Sequence, residues 1–244
     1  NYTRRRALNR HPRPGARYLA AMSPVLVFEV VAVVLGACSA MIMAAKKNLD
    51  FIGTYALAVI VSFGGGTIRD VLLDRRPFFW VSRWEYLVVI FVLSIPFVYS
   101  RSVHTLAQRV VARAELIDAL GLGFFAVVGC TLALEARQPV IVAILLGVVT
   151  ATGGGIIGDI LTNEIPSYFR HGALYTTAAF VGAATFVALR GFGDGLAVPA
   201  SIALAVGLRI YSVWRGASLP RPHWMRTGAH AVPPDHPAKP PVRD

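Results

Sequence analysis

The chain has 244 residues and a net charge of +11, and its composition lies outside the usual range of soluble domains. Hydrophobic residues make up 55% of the chain before its 22 glycines are counted, against roughly 45–50% in soluble domains with glycine included. Only 15% of the residues are charged, where roughly 25% is usual. These values argue strongly against a soluble enzyme and indicate an integral membrane protein.

The positive charge is concentrated at the two ends of the chain. Residues 1–23 carry six Arg and no acid, and residues 215–244 carry four Arg and one Lys against two Asp. Basic segments beside membrane spans favour anionic lipid headgroups over nucleic acid as partners, and solvated disordered tails are an equal alternative. Seven prolines predict a disordered tail at 215–244, and no cleavable signal is expected before the first span.

Between the tails, seven long apolar segments predict transmembrane helices. A helix rises about 1.5 Å per residue, so about 20 residues cross a hydrocarbon core of about 30 Å. The connections between the segments are short and polar, which leaves no room for a soluble domain. The predicted fold is therefore an all-α polytopic membrane protein. Its seven spans are 24–45, 51–73, 84–100, 115–134, 139–161, 172–189 and 196–214.

An internal repeat organises these spans. The segment 64–77 begins with three glycines and ends in proline, and segment 153–166, 89 residues later, matches it at seven of fourteen positions. The same offset pairs Glu29 with Asp118. Each unit holds three spans, and because three is odd the second copy enters the membrane from the opposite side. We therefore predict inverted repeats over 24–100 and 115–189, followed by a seventh helix over 195–214.

The glycine triplets are the first candidate site. Gly64, Gly65 and Gly66 and their copies Gly153, Gly154 and Gly155 fall near the middle of the bilayer, where each glycine costs about 1 kcal/mol relative to alanine. Helix breaks at this depth persist where the backbone is buried or lines a water-filled cavity. Two facing broken helices predict an ion pathway, with the Thr67 and Thr152 hydroxyls offsetting desolvation. The alternative is close helix packing, which small residues allow.

Charged residues near the ends of the spans are the second candidate site. Asp70 and Asp159 follow the triplets near opposite mouths, where they either concentrate cations and hold a basic side chain or pin a loop. Arg69 has no repeat partner, since Gly158 replaces it. Asp70 is adjacent to Arg69 and so a poorer expected partner than Glu29 or Asp118, which could alternatively form a snorkelling pair near the headgroups. Arg209, inside the last span, is expected to be paired or functional.

Other classes of site are not supported. Neither triplet is followed by Lys-Ser or Lys-Thr, as a phosphate-binding loop requires, and the six histidines show no metal-ligand spacing. No nucleophile elbow is present. We therefore expect no catalytic residues, no metal and no cofactor.

With its duplicated GGGxIxDxL…P motif, the chain resembles the trimeric intracellular cation channel family, specifically its prokaryotic members, over residues 24–214. The resemblance implies a seven-span protomer in a homotrimer, with one pathway per protomer between kinked second and fifth helices. It also implies passive conduction of monovalent cations, chiefly potassium. Gly158 in place of a second Arg69 and the long basic start depart from the family pattern.

Two rival functions remain open. A secondary transporter could hold a small zwitterion such as glycine on its broken half-helices, and bacterial relatives with the same repeat are thought to include glycine-uptake proteins. A non-conducting membrane scaffold is weaker, because packing alone does not need mirrored broken helices. Lys and Arg are equally divided between the two sides, so charge does not orient the chain. The resemblance implies a prokaryotic plasma membrane, with the amino end outside and the carboxy end cytoplasmic.

Overall fold

The structure, a computed structural model, describes residues 24–109, 111–166, 174–215 and 217. The two predicted tails, 1–23 and 215–244, lie outside the described residues apart from 215 and 217. Nine α-helices and one 3₁₀ turn, Arg190–Phe192, make up the described part of the chain. The helices are α1 Pro24–Lys46, α2 Phe51–Leu72, α3 Phe79–Ser82, α4 Glu85–Tyr99, α5 Arg101–Arg109, α6 Val111–Glu135, α7 Val140–Leu161, α8 Tyr175–Leu189 and α9 Asp194–Arg215.

Among the described residues, five helices are long and apolar enough to cross a membrane. They are α1, α2, α7, α9 and the Glu115–Glu135 part of α6, while α4 is a shorter apolar helix. The prediction of an all-helical polytopic protein is confirmed. A 15-residue helix such as α8 extends about 22 Å, which is less than the hydrocarbon core.

Contacts at the helix ends divide the molecule into two faces. The first face is where α1 begins and α2 ends, and Glu29 there meets Arg69. The second face is where α1 ends and α7 ends, and Lys47 there pairs with Glu164. The chain therefore enters its first repeat from the first face and its second repeat from the second face.

Left-handed turns repeat with the same offset as the sequence motif. Asn48 and Arg137 have φ of 53° and 57°, and Asp74 and Asn163 have φ of 49° and 56°. Each pair is separated by 89 residues. The two halves thus share backbone conformation at the corresponding helix ends as well as residue identities.

Two helices lie in segments predicted to be plain connections. α3 is one turn long and follows Pro77, and α5 fills most of the predicted connection between the third and fourth spans. Val103 and Leu106 of α5 are one turn apart, and basic residues stand at both of its ends. A hydropathy pattern finds charge-free runs, so it passes over a short helix and a helix with charged ends.

Candidate ion pathway

α2 and α7 cross where the two glycine triplets meet. A Cβ added at Gly65 would lie 2.1 Å from the carbonyl oxygen of Thr150, and one added at Gly154 would lie 1.9 Å from that of Val61. Val61 and Thr150 are themselves 89 residues apart, so the crossing is symmetric. α2 and α7 are so close at these positions that any side chain larger than hydrogen would push their backbones apart.

The predicted helix breaks at the triplets are wrong. α2 is helical from Phe51 through Leu72 and α7 from Val140 through Leu161, with both triplets inside. The triplets therefore serve the close packing that was the alternative interpretation. Small residues let two continuous helices approach, and the packing they permit offsets their low helix propensity.

A buried charged cluster closes the first-face end of this crossing. Arg69 and Asp70 are 1% and 0% exposed. The Arg69 Nη2 atom donates to Asp70 Oδ1 at 2.7 Å, and its Nε donates to the same oxygen at 2.9 Å. Glu29 of α1 lies 3.8 Å from Arg69 Nη2, and Arg75 Nη1 lies 3.9 Å from Asp70.

The expectation that Asp70 is a poor partner for Arg69 is wrong, whereas Glu29 is a partner as expected. An arginine side chain is long enough to curl back to the adjacent carboxylate, and burial makes that pairing favourable because an unpaired buried charge is costly. Asp118, the other partner considered, lies in the second half near the opposite face.

Asp70 also pins the loop after α2. Its Oδ2 atom accepts a hydrogen bond from the Phe79 backbone N–H at 2.8 Å. The Phe79 ring fills the space at Gly66, where an added Cβ would lie 2.5 Å from Cε1, and the Arg69 guanidinium stands 5.3 Å from the ring centroid. The loop-pinning role that the sequence left open for Asp70 is thus present, together with the arginine contact.

Thr67 is engaged by the same loop. The indole N–H of Trp80 donates to Thr67 Oγ1 at 3.1 Å, and the hydroxyl itself donates to the Phe63 carbonyl. Trp80 stacks on Phe63 with 5.8 Å between ring centroids and 3° between planes. The α3 turn therefore covers the first-face end of α2.

The second half carries a related cluster near the second face. Tyr175 and Asp118 line the same cavity. The Arg209 guanidinium lies 4.7 Å from the centroid of the Tyr175 ring, and Arg209 is 6% exposed. Arg209, which the sequence predicts to be paired or functional inside the last span, makes this cation–π contact.

A narrow cavity of about 20 Å³ adjoins this second cluster. Space for one water needs about 10–15 Å³ on this measure. The cavity runs from Asp118 and Tyr175 toward the middle of the crossing, and its wall includes Thr150, Gly154 and Gly155. It lies beside the contact of α2 and α7 rather than between the two helices.

The other predicted site residues are placed as follows. Thr152 is buried, and its hydroxyl donates to the Val148 carbonyl one turn earlier. Asp159 is half-buried, and its carbonyl accepts the Glu164 N–H, as the Asp70 carbonyl accepts the Arg75 N–H. Among the described residues, no group of three His, Cys, Asp or Glu side chains could hold a metal ion.

Sequence reasoning missed the aromatic members of both clusters. Tyr86 and Tyr175 are 89 residues apart; Tyr86 packs 6.2 Å from the Phe79 ring between centroids, and Tyr175 lines a cavity with Asp118. An alignment of the two repeats beyond the glycine motif shows these tyrosines as identical. Phe79 has no such signal, because its role follows from the fold of the loop.

Comparisons with known proteins agree with this architecture. A family model described as "Glycine transporter" matches residues 26–102 and again residues 115–191, in the same register as the internal repeat. The UPF0126 inner membrane protein YadS of Escherichia coli is 37% identical over 155 residues, covering 63% of this chain and 73% of that protein. A UPF0126 membrane protein of Vibrio cholerae is 32% identical over 206 residues, covering 83% and 81%.

Solved structures share the fold. The TRIC trimeric intracellular cation channel orthologue from Rhodobacter sphaeroides matches with a TM-score of 0.72 and 34% identity, over 79% of this chain and 98% of that chain. A second solved structure, from work on conductance through TRIC cation channels, matches with a TM-score of 0.70 and 31% identity, over 80% of this chain and 96% of that chain.

The fold and its paired clusters therefore define a multi-pass helical membrane protein of the TRIC channel architecture. The chain belongs to the trimeric intracellular cation channel family, and the family model described as "Glycine transporter" matches both of its repeats.

Proposed function

We propose that the protein is a passive monovalent cation channel, chiefly for potassium, with one pathway in each protomer of a homotrimer. The observation that carries the proposal is the symmetric crossing of α2 and α7 with a charged cluster toward each face. The identity of 31–34% with cation channels of the same fold supports it.

Seven spans follow from the same proposal. If α1 and α6 enter from opposite faces, α4 must cross between them, and the repeat symmetry then assigns a crossing to α8 as well. Each of these two helices has 15 residues, and a modest local thinning of the bilayer accommodates a short span. From the family resemblance, we propose that the first face is outside and the second face cytoplasmic, with anionic lipid headgroups facing the basic tails.

The pathway follows the side of the crossing rather than its centre. The backbones of α2 and α7 touch at the triplets, which leaves no room for an ion between them. Asp118 and Thr150 line the adjoining cavity, and both residues carry side-chain oxygen atoms. By the repeat symmetry, Glu29 of the first half corresponds to Asp118, and Ser62 corresponds to Ala151, which also lines the cavity, whereas the counterpart of Thr150 is Val61. Oxygen atoms of this kind offset the desolvation of a cation.

Planar bilayers with a potassium gradient and symmetric glycine test the channel directly. The expected result is discrete unitary currents that reverse near the potassium equilibrium potential. Replacement of potassium by a large organic cation is the control and is expected to abolish the currents. Electrically silent bilayers formed from correctly folded protein would contradict the proposal.

A secondary transporter of glycine is the second candidate, and the matched family model favours it. The mechanism based on broken half-helices is weakened, because α2 and α7 are continuous. A transporter would show saturable uptake of labelled glycine into liposomes that excess unlabelled glycine suppresses. Ohmic current without such uptake would exclude it.

A further inference from the structure

The last helix, α9, carries a buried arginine beside the second repeat, which has Gly158 at the position of Arg69 in the first repeat. We infer that Arg209 of α9 is the second-face counterpart of Arg69 and balances Asp118 as Arg69 balances Glu29. Arg209 is thereby a positioning residue that sets the fixed charge at the second mouth. The inference rests on the proposed channel function.

The first step is the register of the two repeats. The offset of 89 residues places Asp118 at the position of Glu29 and Tyr175 at the position of Tyr86. Each half therefore has an acid on its first long helix, α1 or α6, and a tyrosine near the start of its third apolar helix, α4 or α8. Only the arginine is missing from the repeat, since the counterpart of Arg69 is Gly158.

The second step is that position 158 has no room for a side chain. A Cβ added at Gly158 would lie 2.6 Å from Cγ2 of Val61 and 3.2 Å from Cε of Met43. An arginine at this point of α7 would force α2 and α1 away. The second half must therefore draw a guanidinium from another helix, if it has one.

The third step is the placement of Arg209. This residue is 6% exposed, and its guanidinium lies 4.7 Å from the centroid of the Tyr175 ring, the same tyrosine that lines a cavity with Asp118. Among the described residues, no acceptor lies within hydrogen-bonding distance of its Nε atom. In the first half the Arg69 guanidinium likewise stands over an aromatic ring, that of Phe79, and 3.8 Å from Glu29.

The electrostatic consequence differs for the two faces. A guanidinium beside Asp118 reduces the negative potential that this carboxylate contributes to the second mouth. Removing the guanidinium leaves the carboxylate uncompensated, so that cations concentrate at this mouth and enter faster from the second face. Removing Arg69 should have the mirrored effect at the first face.

The test compares unitary currents at positive and negative voltage in symmetric potassium chloride. Arg209→Met is expected to change the ratio of the two currents about two-fold or more in favour of entry from the second face. Arg69→Met is expected to change the ratio in the opposite direction. Arg209→Lys keeps the charge and should retain the wild-type ratio. Arg215→Met, on the exposed end of the same helix, is the matched control and should also retain it.

The double variant Asp118→Asn with Arg209→Met removes both charges and should return the ratio toward the wild-type value. It also keeps the test valid if Arg209→Met alone does not fold. A wild-type ratio in Arg209→Met, or a shift in the same direction as Arg69→Met, would overturn the inference.

A stability measurement separates the inference from the channel proposal. If the wild-type protein conducts no current, the proposed function fails, and the pairing is then tested by thermal unfolding in detergent. Coupled effects of Asp118→Asn and Arg209→Met would support the pairing, because each charge is needed only while the other is present. Additive effects would refute it.

Discussion

At Gly65 and Gly154, an added methyl group would collide with the backbone of the facing helix. An added Cβ would approach a backbone carbonyl oxygen to about 2 Å in each case, and neither backbone can yield without moving a helix. We expect Gly65→Ala and Gly154→Ala each to lower the free energy of unfolding by about 1–3 kcal/mol, the usual cost of overpacking. Similar losses at the two positions would reflect the symmetry of the crossing.

The matched control is Gly207→Ala on α9, where an added Cβ meets nothing within 4 Å. Alanine is the better helix former, so this variant should be neutral or more stable by about 0.5–1 kcal/mol. Thermal unfolding in detergent measures all three variants. If Gly65→Ala unfolds at the same temperature as Gly207→Ala, the triplets do not hold α2 and α7 together.

Asp70 contacts three partners, Arg69, Arg75 and the Phe79 backbone N–H, and its substitution affects each of them. Asp70→Asn leaves the buried Arg69 with only the more distant Glu29, and breaking a buried ion pair costs about 3–5 kcal/mol. We expect a large fall in the unfolding temperature. Asp74→Asn is the control, because Asp74 is exposed and has a left-handed backbone that asparagine also adopts. Equal stabilities of the two variants would contradict the role assigned to Asp70.

At the level of elements, the α3 turn is attached to α2 by a small set of contacts. Thr67→Val keeps the shape of the side chain and removes the oxygen that accepts the indole N–H of Trp80. We expect a loss of about 1 kcal/mol, the typical net value of one hydrogen bond. The measurement is thermal unfolding, with the exposed Thr176→Val of α8 as control. A fall that is no larger than in the control would mean that the indole contact contributes little.

The spans were predictable because the bilayer imposes a length and an apolar composition on each one. Most ends of the long helices lie within about two residues of the predicted ends, whereas α6 starts four residues earlier, at Val111. α5 was not predicted because most of its nine residues are polar, with Arg101 and Arg109 at its ends. Composition alone thus predicts the ends of helices that cross the lipid. It does not predict helices in the segments outside the hydrocarbon core.

The site was less predictable, because side-chain conformation decides it. The sequence located Gly65, Gly154 and the paired acids through the repeat. It could not distinguish a broken helix from two continuous helices in contact, since both require glycine. It also could not show that Arg69 turns back to Asp70, since this depends on one rotamer in a buried site.

At the scale of the whole molecule, the inverted repeat makes a prediction about sidedness. Arg76 and Ile165 are exposed, are 89 residues apart and follow α2 and α7 respectively. Because the two repeats enter from opposite faces, Arg76→Cys and Ile165→Cys should react with a membrane-impermeant thiol reagent from opposite sides. The background for both is the protein with Cys38 and Cys130 replaced by alanine.

In intact bacterial cells, Arg76→Cys is expected to be labelled at once, because the first face is outside in the proposed orientation. Ile165→Cys should be labelled only after the membrane is permeabilised. The reverse pattern would keep the inverted architecture and turn the protein over, placing the Asp118 mouth outside. Labelling of both positions from one side would contradict the inversion itself.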